Sequence, residues 1–413
     1  MQKSDWKKCK LEDICTIKKR SISPEVGMRY TLYSLPAFDM EKTPEYVKGE
    51  DIKSNKLLVE PNAILYNKLN IKFKRVWKLG SSLKENTICS TEFLPIYANK
   101  IEQAFLFYIL TSPFFTDAMI GCATGTSNSH QRIQSSNVLN YDILLPPVEE
   151  QKRIAGILGA LDDKIELLQK QNKTLEDMAK AIFKSWFVDF DVVHAKQKGL
   201  PKADIIREYH LTDELYDLFP SDFENSSLGL IPLGWQVKTL GDISTCYDSK
   251  RIPLSNRERA ERQGNYPYYG ATSIMDHVDD FLFDGIYLLL GEDGSVVKPE
   301  GTPFLQYVFG KIWVNNHAHV LQGKAPVGTE FLYLFLSDVQ IQPYVTGAVQ
   351  AKLNQKNMNS IPVCMATEDF VRQFQGIIEI YFVKIRSNLK QIQTLTELRD
   401  TLLPPLISGK IRV

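Results

Sequence analysis

Two segments with a heptad pattern of apolar residues most constrain how this chain can fold. After Pro146 and Pro147, apolar residues recur at alternating steps of four and three. They fall at Ile154, Leu158, Leu161, Ile165, Leu168, Leu175, Ala179, Ile182 and Trp186, with Asn172 in the one polar slot. This spacing predicts a long helix with a coiled-coil seam. Glu149 and Glu150 suit its N-terminus, where the helix dipole favours negative charge.

The second heptad segment lies near the C-terminus and is expected to stop at Pro404-Pro405. Its apolar positions are Phe374, Ile378, Tyr381, Ile385, Ile392, Leu395 and Leu402. A lone helix of this kind would leave its apolar seam in water, so we expect the two helices to pair. Asn172 either fixes the register of that pair or fills a solvated polar gap.

The chain also repeats itself once, at a period of about 220 residues. The spacing of Trp6, Leu11, Asp13 and Ile14 returns in the second half, at Trp235, Leu240, Asp242 and Ile243. Later, Thr124-Gly125 is echoed by Thr346-Gly347. Each copy leads into a short apolar strand and then into one of the heptad segments. The sequence therefore predicts two copies of one structural plan.

Together these features predict an α+β protein with an internal pseudo-two-fold repeat. Two mixed α/β heads, residues 1–148 and 231–367, would be separated by an antiparallel pair of long coiled-coil helices, the first at 149–192 and the second, with a C-terminal tail, at 368–413. Because a whole head lies between the helices in sequence, an antiparallel pair is geometrically easy. The segment 193–230, which holds Lys, Gly, Pro and Ser, is predicted to be a linker.

Composition excludes several classes of site. Lys plus Arg equals Asp plus Glu at 49 each, so any DNA-binding charge must be local. The six cysteines form no CxxC pair, which gives no signal for zinc or redox chemistry. The first residues carry no apolar signal core, and the sequence contains no phosphate-binding loop of the GxxxxGK[ST] type. His317 and His319 are expected to make structural bonds inside the second head, with a hydrogen bond to DNA as the alternative, and not to hold a metal. We predict no catalytic residue, no metal and no membrane span.

Candidate DNA contacts are sought where basic or directional polar groups cluster. Residues 61–84 contain six basic side chains and no acid, as expected of a surface that neutralises phosphates. Polar loops follow Thr-Gly in both heads and offer groups for reading base edges. The candidates are Lys68, Lys72, Lys74, Arg75, Thr124, Gly125, Ser129, Gln131, Arg132, Lys250, Arg251, Thr346, Gly347, Gln350 and Lys352. A solvated basic surface or an ordinary polar loop remains the alternative at each place.

Several motifs resemble those of type I restriction–modification specificity subunits. Phe183-Lys-Ser-Trp186-Phe-Val-Asp-Phe190-Asp191 is similar to the central conserved segment of that family, and Leu402 to Ile411 resembles its C-terminus. Tyr268-Tyr-Gly270 and Asn315-Asn-His317 resemble motifs of its target recognition domains. Each motif is short, but together they span nearly the whole chain in the duplicated order.

The resemblance implies a non-catalytic subunit whose two target recognition domains, the heads 1–148 and 231–367, each read one half of a bipartite site in double-stranded DNA. The paired helices would set the spacing. A helix from Glu149 to Trp186 is about 57 Å long, which lies between one and two DNA turns of roughly 34–36 Å each. The helices would also dock two methyltransferase (M) subunits, which bind S-adenosylmethionine. A motor–nuclease (R) subunit that uses ATP and Mg would join the complex in the cytoplasm.

Two other classes of function stay open at this stage. One is a coiled-coil scaffold that carries two protein-binding heads, with which the overall neutrality is compatible. The other is a self-contained nuclease or modification enzyme, against which the missing methyltransferase and ATPase motifs argue.

Overall fold

A computed structural model describes residues 5–40, 42–123, 131–347 and 350–413. They form two compact units, Met1–Leu167 with Gln391–Val413, and Leu168–Lys390. Each unit holds one head and parts of both long helices. The mixed helix-and-strand fold predicted from the sequence is confirmed.

Strands build most of each head. Those of the first unit are β1 Lys7–Lys10, β2 Cys15–Ile17, β3 Ser21–Ile22, β4 Arg29–Tyr33, β5 Glu45–Lys48, β6 Lys56–Leu58, β7 Ile64–Asn67, β8 Val76–Lys78, β9 Thr87–Cys89, β10 Phe93–Ala98 and β11 Asp142–Leu145. Those of the second unit are β12 Phe223–Ser226, β13 Gly229–Pro232, β14 Gln236–Thr239, β15 Ser244–Cys246, β16 Gln263–Tyr269, β17 Ile274–Val278, β18 Phe283–Gly291, β19 Leu305–Val314, β20 Ala318–Gly323 and β21 Pro362–Met365.

Helices connect and cover these strands. In chain order they are α1 Leu35–Met40, α2 Gln103–Thr111, α3 Pro113–Cys122, α4 Ser135–Leu139, α5 Val148–Phe187, α6 Asp191–Gln197, α7 Lys202–Tyr209, α8 Asp213–Leu218, α9 Leu240–Ile243, α10 Asn256–Glu261, α11 Thr329–Asp338, α12 Gln355–Asn359 and α13 Glu368–Ile407. The two long helices, α5 and α13, have 40 residues each.

The first head contains a five-stranded sheet in the order β3-β6-β9-β4-β5 and a four-stranded sheet in the order β2-β10-β7-β8. Helices α2 and α3 follow the second sheet and start at side-chain caps, because Glu102 accepts from Phe105 N–H and Ser112 accepts from Phe115 N–H. Both phenylalanines are fully buried. Strand β11 then pairs with β1 and leads directly into α5.

The second head is organised around a six-stranded sheet in the order β15-β20-β18-β19-β16-β17. Its last strand, β21, pairs with β14 and leads into α13, as β11 does into α5. Leu145, at the end of β11, and Met365, at the end of β21, are 220 residues apart, which is the predicted period. The duplicated plan read from the sequence is therefore present in the backbone.

Each long helix contributes to the cores of both units. In the first unit, Ile154 and Leu158 of α5 are fully buried in the same apolar cluster as Leu403 and Leu406 of α13. In the second unit, the cluster joins the C-terminal part of α5 to the N-terminal part of α13, at Phe183, Trp186, Phe374 and Ile378. Neither core is complete without both helices.

Polar contacts join α5 and α13 within each unit, whereas the antiparallel coiled-coil pairing stays a prediction. In the second unit, Asn388 Nδ2 donates to Asn172 Oδ1 at 2.8 Å and to Gln171 Oε1 at 2.9 Å. In the first unit, Arg399 pairs with Asp162 at 2.8 Å. Asn388 is fully buried, and its Oδ1 has no hydrogen-bond partner among the described residues. The predicted polar slot at Asn172 therefore has a partner that the sequence pattern did not indicate.

The remaining seam predictions fall on buried or half-buried positions of the helices. These are Ile154, Leu158, Leu161, Ile165, Leu168, Leu175, Ile378, Ile385, Ile392 and Leu395. The knobs-into-holes packing of a coiled coil stays a prediction.

The prediction that the second helix stops at Pro404-Pro405 is wrong, because α13 continues to Ile407 with both prolines inside it. Proline lacks the N–H for a helical bond but still has a carbonyl to offer. Ser408 N–H donates to Pro404 O at 3.0 Å, and Ile411 N–H donates to Pro405 O at 3.1 Å. Gly409, with φ of 73°, follows the helix end.

The segment predicted to be a linker, 193–230, is folded rather than extended. It contains α7, α8 and most of α6, followed by the β12–β13 hairpin. Ile205, Leu211 and Leu215 are buried in the core of the second unit. Of the two glycines and two prolines in this segment, Gly199 and Pro201 lie in the short turn between α6 and α7.

No single helix in the described ranges is long and apolar enough to span a membrane. The two consecutive helices Gln103–Thr111 and Pro113–Cys122 together have the length and composition of a membrane span, but they are bent by 60° relative to each other. Its residues Phe105, Leu106 and Phe115 are fully buried in the first head.

Trp186 offers a test of the shared core of the second unit. Its ring contacts the rings of Phe219, Phe370 and Phe374. We expect Trp186→Ala to lower the free energy of unfolding of this unit by about 3–5 kcal/mol, because a large cavity would remain. Chemical denaturation followed by circular dichroism measures this loss. Val188→Ala, at a position 45% exposed, is the control and should change the value by less than about 0.5 kcal/mol.

Candidate nucleic-acid interface

Three backbone segments meet at one place in the first head, which we call the first junction: Lys68–Asn70, Glu92 and Gln131–Ile133. Lys68 N–H donates to Glu92 O at 2.9 Å, and Ile133 N–H donates to Lys68 O at 3.1 Å. Asn70 N–H donates to Gln131 O at 2.9 Å. These bonds fix residues 131–133, just before α4, against the end of β7 and the start of β10.

Arg132 is the cation that the first junction presents. Leu69 forms a backbone bridge with Arg132, and the guanidinium Nη2 lies 2.8 Å from Glu92 Oε1. The arginine side chain is 53% exposed, whereas that of Glu92 is 22% exposed. Ser90 Oγ accepts from Glu92 N–H at 3.2 Å, which holds the turn between β9 and β10. The carboxylate thus holds one nitrogen of the guanidinium, while much of the arginine side chain is exposed to solvent.

A rigid loop extends the first junction along the basic segment. The fully buried Asn67 donates from Nδ2 to Leu69 O at 2.9 Å and to Phe73 O at 3.2 Å. Its Oδ1 accepts from Arg75 N–H at 3.2 Å. A single buried amide therefore holds both sides of the loop between β7 and β8.

The loop carries side chains of different accessibility. Lys72 and Lys74 are exposed, Phe73 between them is 58% exposed, and Lys68 is half-buried. These lysines form no ion pair with any residue that the structure describes. Burial, and to a smaller extent the charge of Lys68, lower the pKa of Lys19. This uncompensated positive surface is suited to an anion.

Arg75 differs from the lysines beside it. Its Nε and Nη2 contact both carboxylate oxygens of Asp39, at 2.6 Å and 2.7 Å, and the side chain is 16% exposed. A guanidinium committed to such a bidentate pair is less available to an external anion. The prediction that Arg75 binds DNA stays untested, and we leave Arg75 out of the surface proposed below.

The second head repeats the junction with the same backbone bonds, in what we call the second junction: Glu292–Gly294, His317 and Ala351–Leu353. Glu292 N–H donates to His317 O at 2.8 Å, and Leu353 N–H donates to Glu292 O at 2.9 Å. Gly294 N–H donates to Ala351 O at 3.0 Å. Each bond has its counterpart in the first junction.

Lys352 occupies the position of Arg132 in the second junction, because it forms the corresponding backbone bridge with Asp293. Its Nζ lies 3.3 Å from Asp293 Oδ1 and 3.6 Å from Glu292 Oε1, and the side chain is 49% exposed. The hydrogen bond to Asp293 and the charges of both acids raise its pKa. A cation is thus kept at the same place in both heads, but its acidic partner comes from a different segment.

The loop before Lys352 is closed by its own backbone. Thr346 N–H donates to Lys352 O at 2.8 Å, and Lys352 N–H donates to Thr346 O at 2.7 Å. Gly347 has φ of 94°, and a Cβ there would lie 2.1 Å from Gln350 O, so only glycine fits. Thr346, Gly347 and Gln350 are exposed.

A buried charged network lies behind the second junction. Arg251 donates to Glu292 Oε2 at 2.7 Å and to Ala318 O at 2.6 Å, with its side chain only 12% exposed. His319 is buried, with Nδ1 2.5 Å from Asp248 Oδ2 and Nε2 2.7 Å from Leu353 O. The structural role predicted for His319 is therefore confirmed. Because its guanidinium is bound internally, Arg251 is left out of the proposed DNA surface.

Cys246, Asp248 and His319 have potential metal-ligating atoms within 4.8 Å of one another. Both imidazole nitrogens of His319 already face hydrogen-bond acceptors. Burial, more than the nearby Asp248, raises the pKa of the Cys246 thiol to about 12, so the thiolate form is disfavoured. Arg251 adds a positive charge 3.3 Å from Asp248. The arrangement fits a hydrogen-bonded structural cluster better than a cation site.

The other predicted contacts have mixed placements. Thr124, Gly125 and Ser129 lie outside the described residues. Gln131 belongs to the first junction, and Lys250 is exposed, with its Nζ 4.9 Å from the ring centroid of Tyr247. The sequence pattern did not single out Glu92 and Asn67, which organise the first junction, or the nearby cation Lys19. An acid and an amide at strand ends give no local pattern, and Lys19 lies far from the basic segment in sequence.

Comparison with known proteins gives a consistent family. Residues 3–177 and 232–365 match the family described as "Type I restriction modification DNA specificity domain". The type I restriction enzyme HindI specificity subunit of Haemophilus influenzae is 26% identical over 99% of this chain and 100% of its own length. The MjaIX specificity subunit of Methanocaldococcus jannaschii is 25% identical over 76% of this chain and 70% of its own length.

A solved structure shares the fold across the whole chain. It is the S subunit of a type I restriction–modification system from M. genitalium, with 18% sequence identity and a TM-score of 0.53. The match covers 98% of this chain and 97% of that one.

Asp248 provides a test of the buried network. Burial would raise its pKa, but the hydrogen bond from His319 and the charge of Arg251 lower it below the ordinary 3.8. The ionised form therefore stabilises the fold above that value, and this contribution is lost as pH falls through the lower folded pKa. We expect Asp248→Asn to destabilise the second unit by about 3–5 kcal/mol at pH 7. Urea unfolding from pH 7 to 3 should show a smaller loss of stability in the variant than in the wild type.

Proposed function

Since the chain belongs to the type I restriction–modification DNA specificity family, we propose that it reads a bipartite site in double-stranded DNA, with one half for each head. The observation that carries this proposal is the duplicated junction. Both heads use the same backbone bonds to present one cation at the same position, Arg132 or Lys352. Two equivalent readers on one chain suit a target with two separate halves.

In the first head, lysines that have no acidic partner among the described residues supply the general affinity for DNA. Lys68, Lys72 and Lys74 lie on the loop that continues from the first junction. Lysines without internal counter-ions can replace the cations condensed on phosphates, which favours binding through counter-ion release. The exposed groups of the second head, Gln350 and Lys352 among them, lie on a loop held by its own backbone and suit base edges.

We further propose that the long helices set the gap between the two half-sites. The support is their continuity, since α5 and α13 are each 40 residues without a break. Helices buried in the cores of both units offer little freedom to slide. A change of helix length should therefore change the length of the unspecified gap.

The outward faces of the helices are proposed to dock two methyltransferase (M) subunits. On α13, Ile380 is 71% exposed and Val383 is 50% exposed, and a spacing of three places them on one face. At the equivalent place on α5, Gly156 and Ala160 line an open groove. These exposed apolar side chains would supply the apolar part of such an interface, and the charged residues around them its polar rim.

The chemistry is assigned to partner subunits. We propose that this chain is non-catalytic, that methyltransferase subunits bind S-adenosylmethionine, and that motor–nuclease (R) subunits use ATP and Mg. Such a complex would act in the cytoplasm, where cellular DNA is available.

Selection from randomised duplex DNA tests the two-headed reading. The complex purified from its host should enrich two short defined sequences around a gap of fixed length. Exchange of residues 1–148 for the corresponding head of another specificity subunit should change one half of the motif only. A single compact motif, or a change in both halves after exchange, would contradict the proposal.

The docking face has a separate test. We expect Ile380→Glu with Val383→Glu to reduce co-purification of the methyltransferase subunit at least tenfold, since two buried carboxylates would lack partners. Met40→Glu is the control, because Met40 is 81% exposed in the first head. Equal co-purification of all three proteins would place the interface elsewhere.

A further inference from the structure

The cations of the proposed DNA surface fall into two electrostatic classes. Lys68, Lys72 and Lys74 have no acidic partner among the described residues. Arg132 and Lys352, the cations of the two junctions, each lie within 3.3 Å of a carboxylate oxygen. These classes should not contact the same part of DNA.

A phosphate is a poor partner for a cation that already has an acid beside it. An anion approaching Arg132 would be repelled by Glu92, whose Oε1 is 2.8 Å from the guanidinium. Glu92 Oε2 is shielded from solvent and has no hydrogen-bond partner among the described residues. The negative charge is therefore poorly compensated except by Arg132. A base edge is uncharged and meets no such repulsion, while it still offers acceptors to the guanidinium.

The second head provides independent support, because its junction cation also has an acidic neighbour, although a different position in the junction supplies that acid. The position of Glu92 is taken there by His317, which makes the equivalent backbone bond. The acids come instead from Glu292 and Asp293, at the positions of Lys68 and Leu69. The cation and an acid beside it are thus both retained, although the residue that supplies the acid has changed.

We infer that Glu92 is a specificity-determining positioning residue, which orients Arg132 to read a guanine in the half-site of the first head. This inference rests on the proposed function. A planar guanidinium braced at one nitrogen retains further N–H groups that can donate to guanine O6 and N7. Lys352 has a single ammonium group without that planar fork, so the second head should discriminate less sharply at the equivalent base.

The test measures affinity for duplexes that differ at each position of the selected half-site. The proteins are the wild-type complex and complexes with Arg132→Ala, Arg132→Lys, Glu92→Gln, or both Arg132→Ala and Glu92→Gln. One position should prefer guanine by about 5- to 150-fold in the wild type. Arg132→Lys and Glu92→Gln should each reduce that preference at the same position alone. In the double variant, loss of Glu92 should add no further change, because it acts through Arg132.

Salt dependence separates base reading from phosphate contact. Arg132→Ala should leave the slope of log affinity against log salt unchanged. Lys72→Gln with Lys74→Gln should reduce the magnitude of this negative slope by about two, without altering base preference. Glu60→Gln, which removes the acid of an exposed pair with Lys18 in the same unit, is the matched control. It should change neither quantity, and melting temperatures confirm folding.

The two hypotheses fail differently. A wild-type complex that selects no motif would overturn the proposed function. A split motif whose guanine preference survives both Glu92→Gln and Arg132→Lys would overturn this inference alone. If Arg132→Ala reduces the magnitude of the salt slope by about one, Arg132 contacts a phosphate and not a base.

Discussion

The apolar faces of two 40-residue helices are the constraint on which the rest of the structure depends. Each helix is too long to be covered by one head, and its two ends are buried in different cores. Ile154 and Leu158 lie in one core with Leu403 and Leu406, while Phe183 and Trp186 lie in the other with Phe374. The strands that precede the helices, β11 and β21, pair back onto each head. The orientation of each head's loops relative to its helix is therefore fixed by hydrogen bonds and by burial.

The same arrangement explains what could be predicted from the sequence. The heptad spacing indicated both helices, since burial along one face must repeat with the period of the helix. Duplication at about 220 residues indicated that the two heads share one plan. The helix end at Pro404 was predicted wrongly, because the last turn of α13 accommodates both prolines and continues to Ile407. The segment 193–230 was read as a linker, although its aliphatic residues form part of a core.

The candidate site was predictable only in part. Arg132 and Lys352 were found from polar loops in matching places, but their acidic partners were not, since Glu92 is 40 residues from Arg132. Ion pairs between distant segments depend on strand register, which a single sequence does not reveal. Arg75 and Arg251 show the opposite case. Each is basic and lies near the expected surface, yet its guanidinium is already paired, Arg75 with Asp39 and Arg251 with Glu292.

The position of Trp6 has a consequence for the order in which the protein folds as it is synthesised. Its indole N–H donates to Glu150 at 3.0 Å, and Arg412 both lies over its ring and pairs with the same glutamate. The first unit needs residues from Gln391 to Val413, whereas the second is complete at Lys390. The domain whose translation starts first therefore completes its core later than the second, only after residues 391–413 have been synthesised. Until then, the apolar core of the N-terminal head lacks the residues that α13 contributes to it, Leu403 and Leu406.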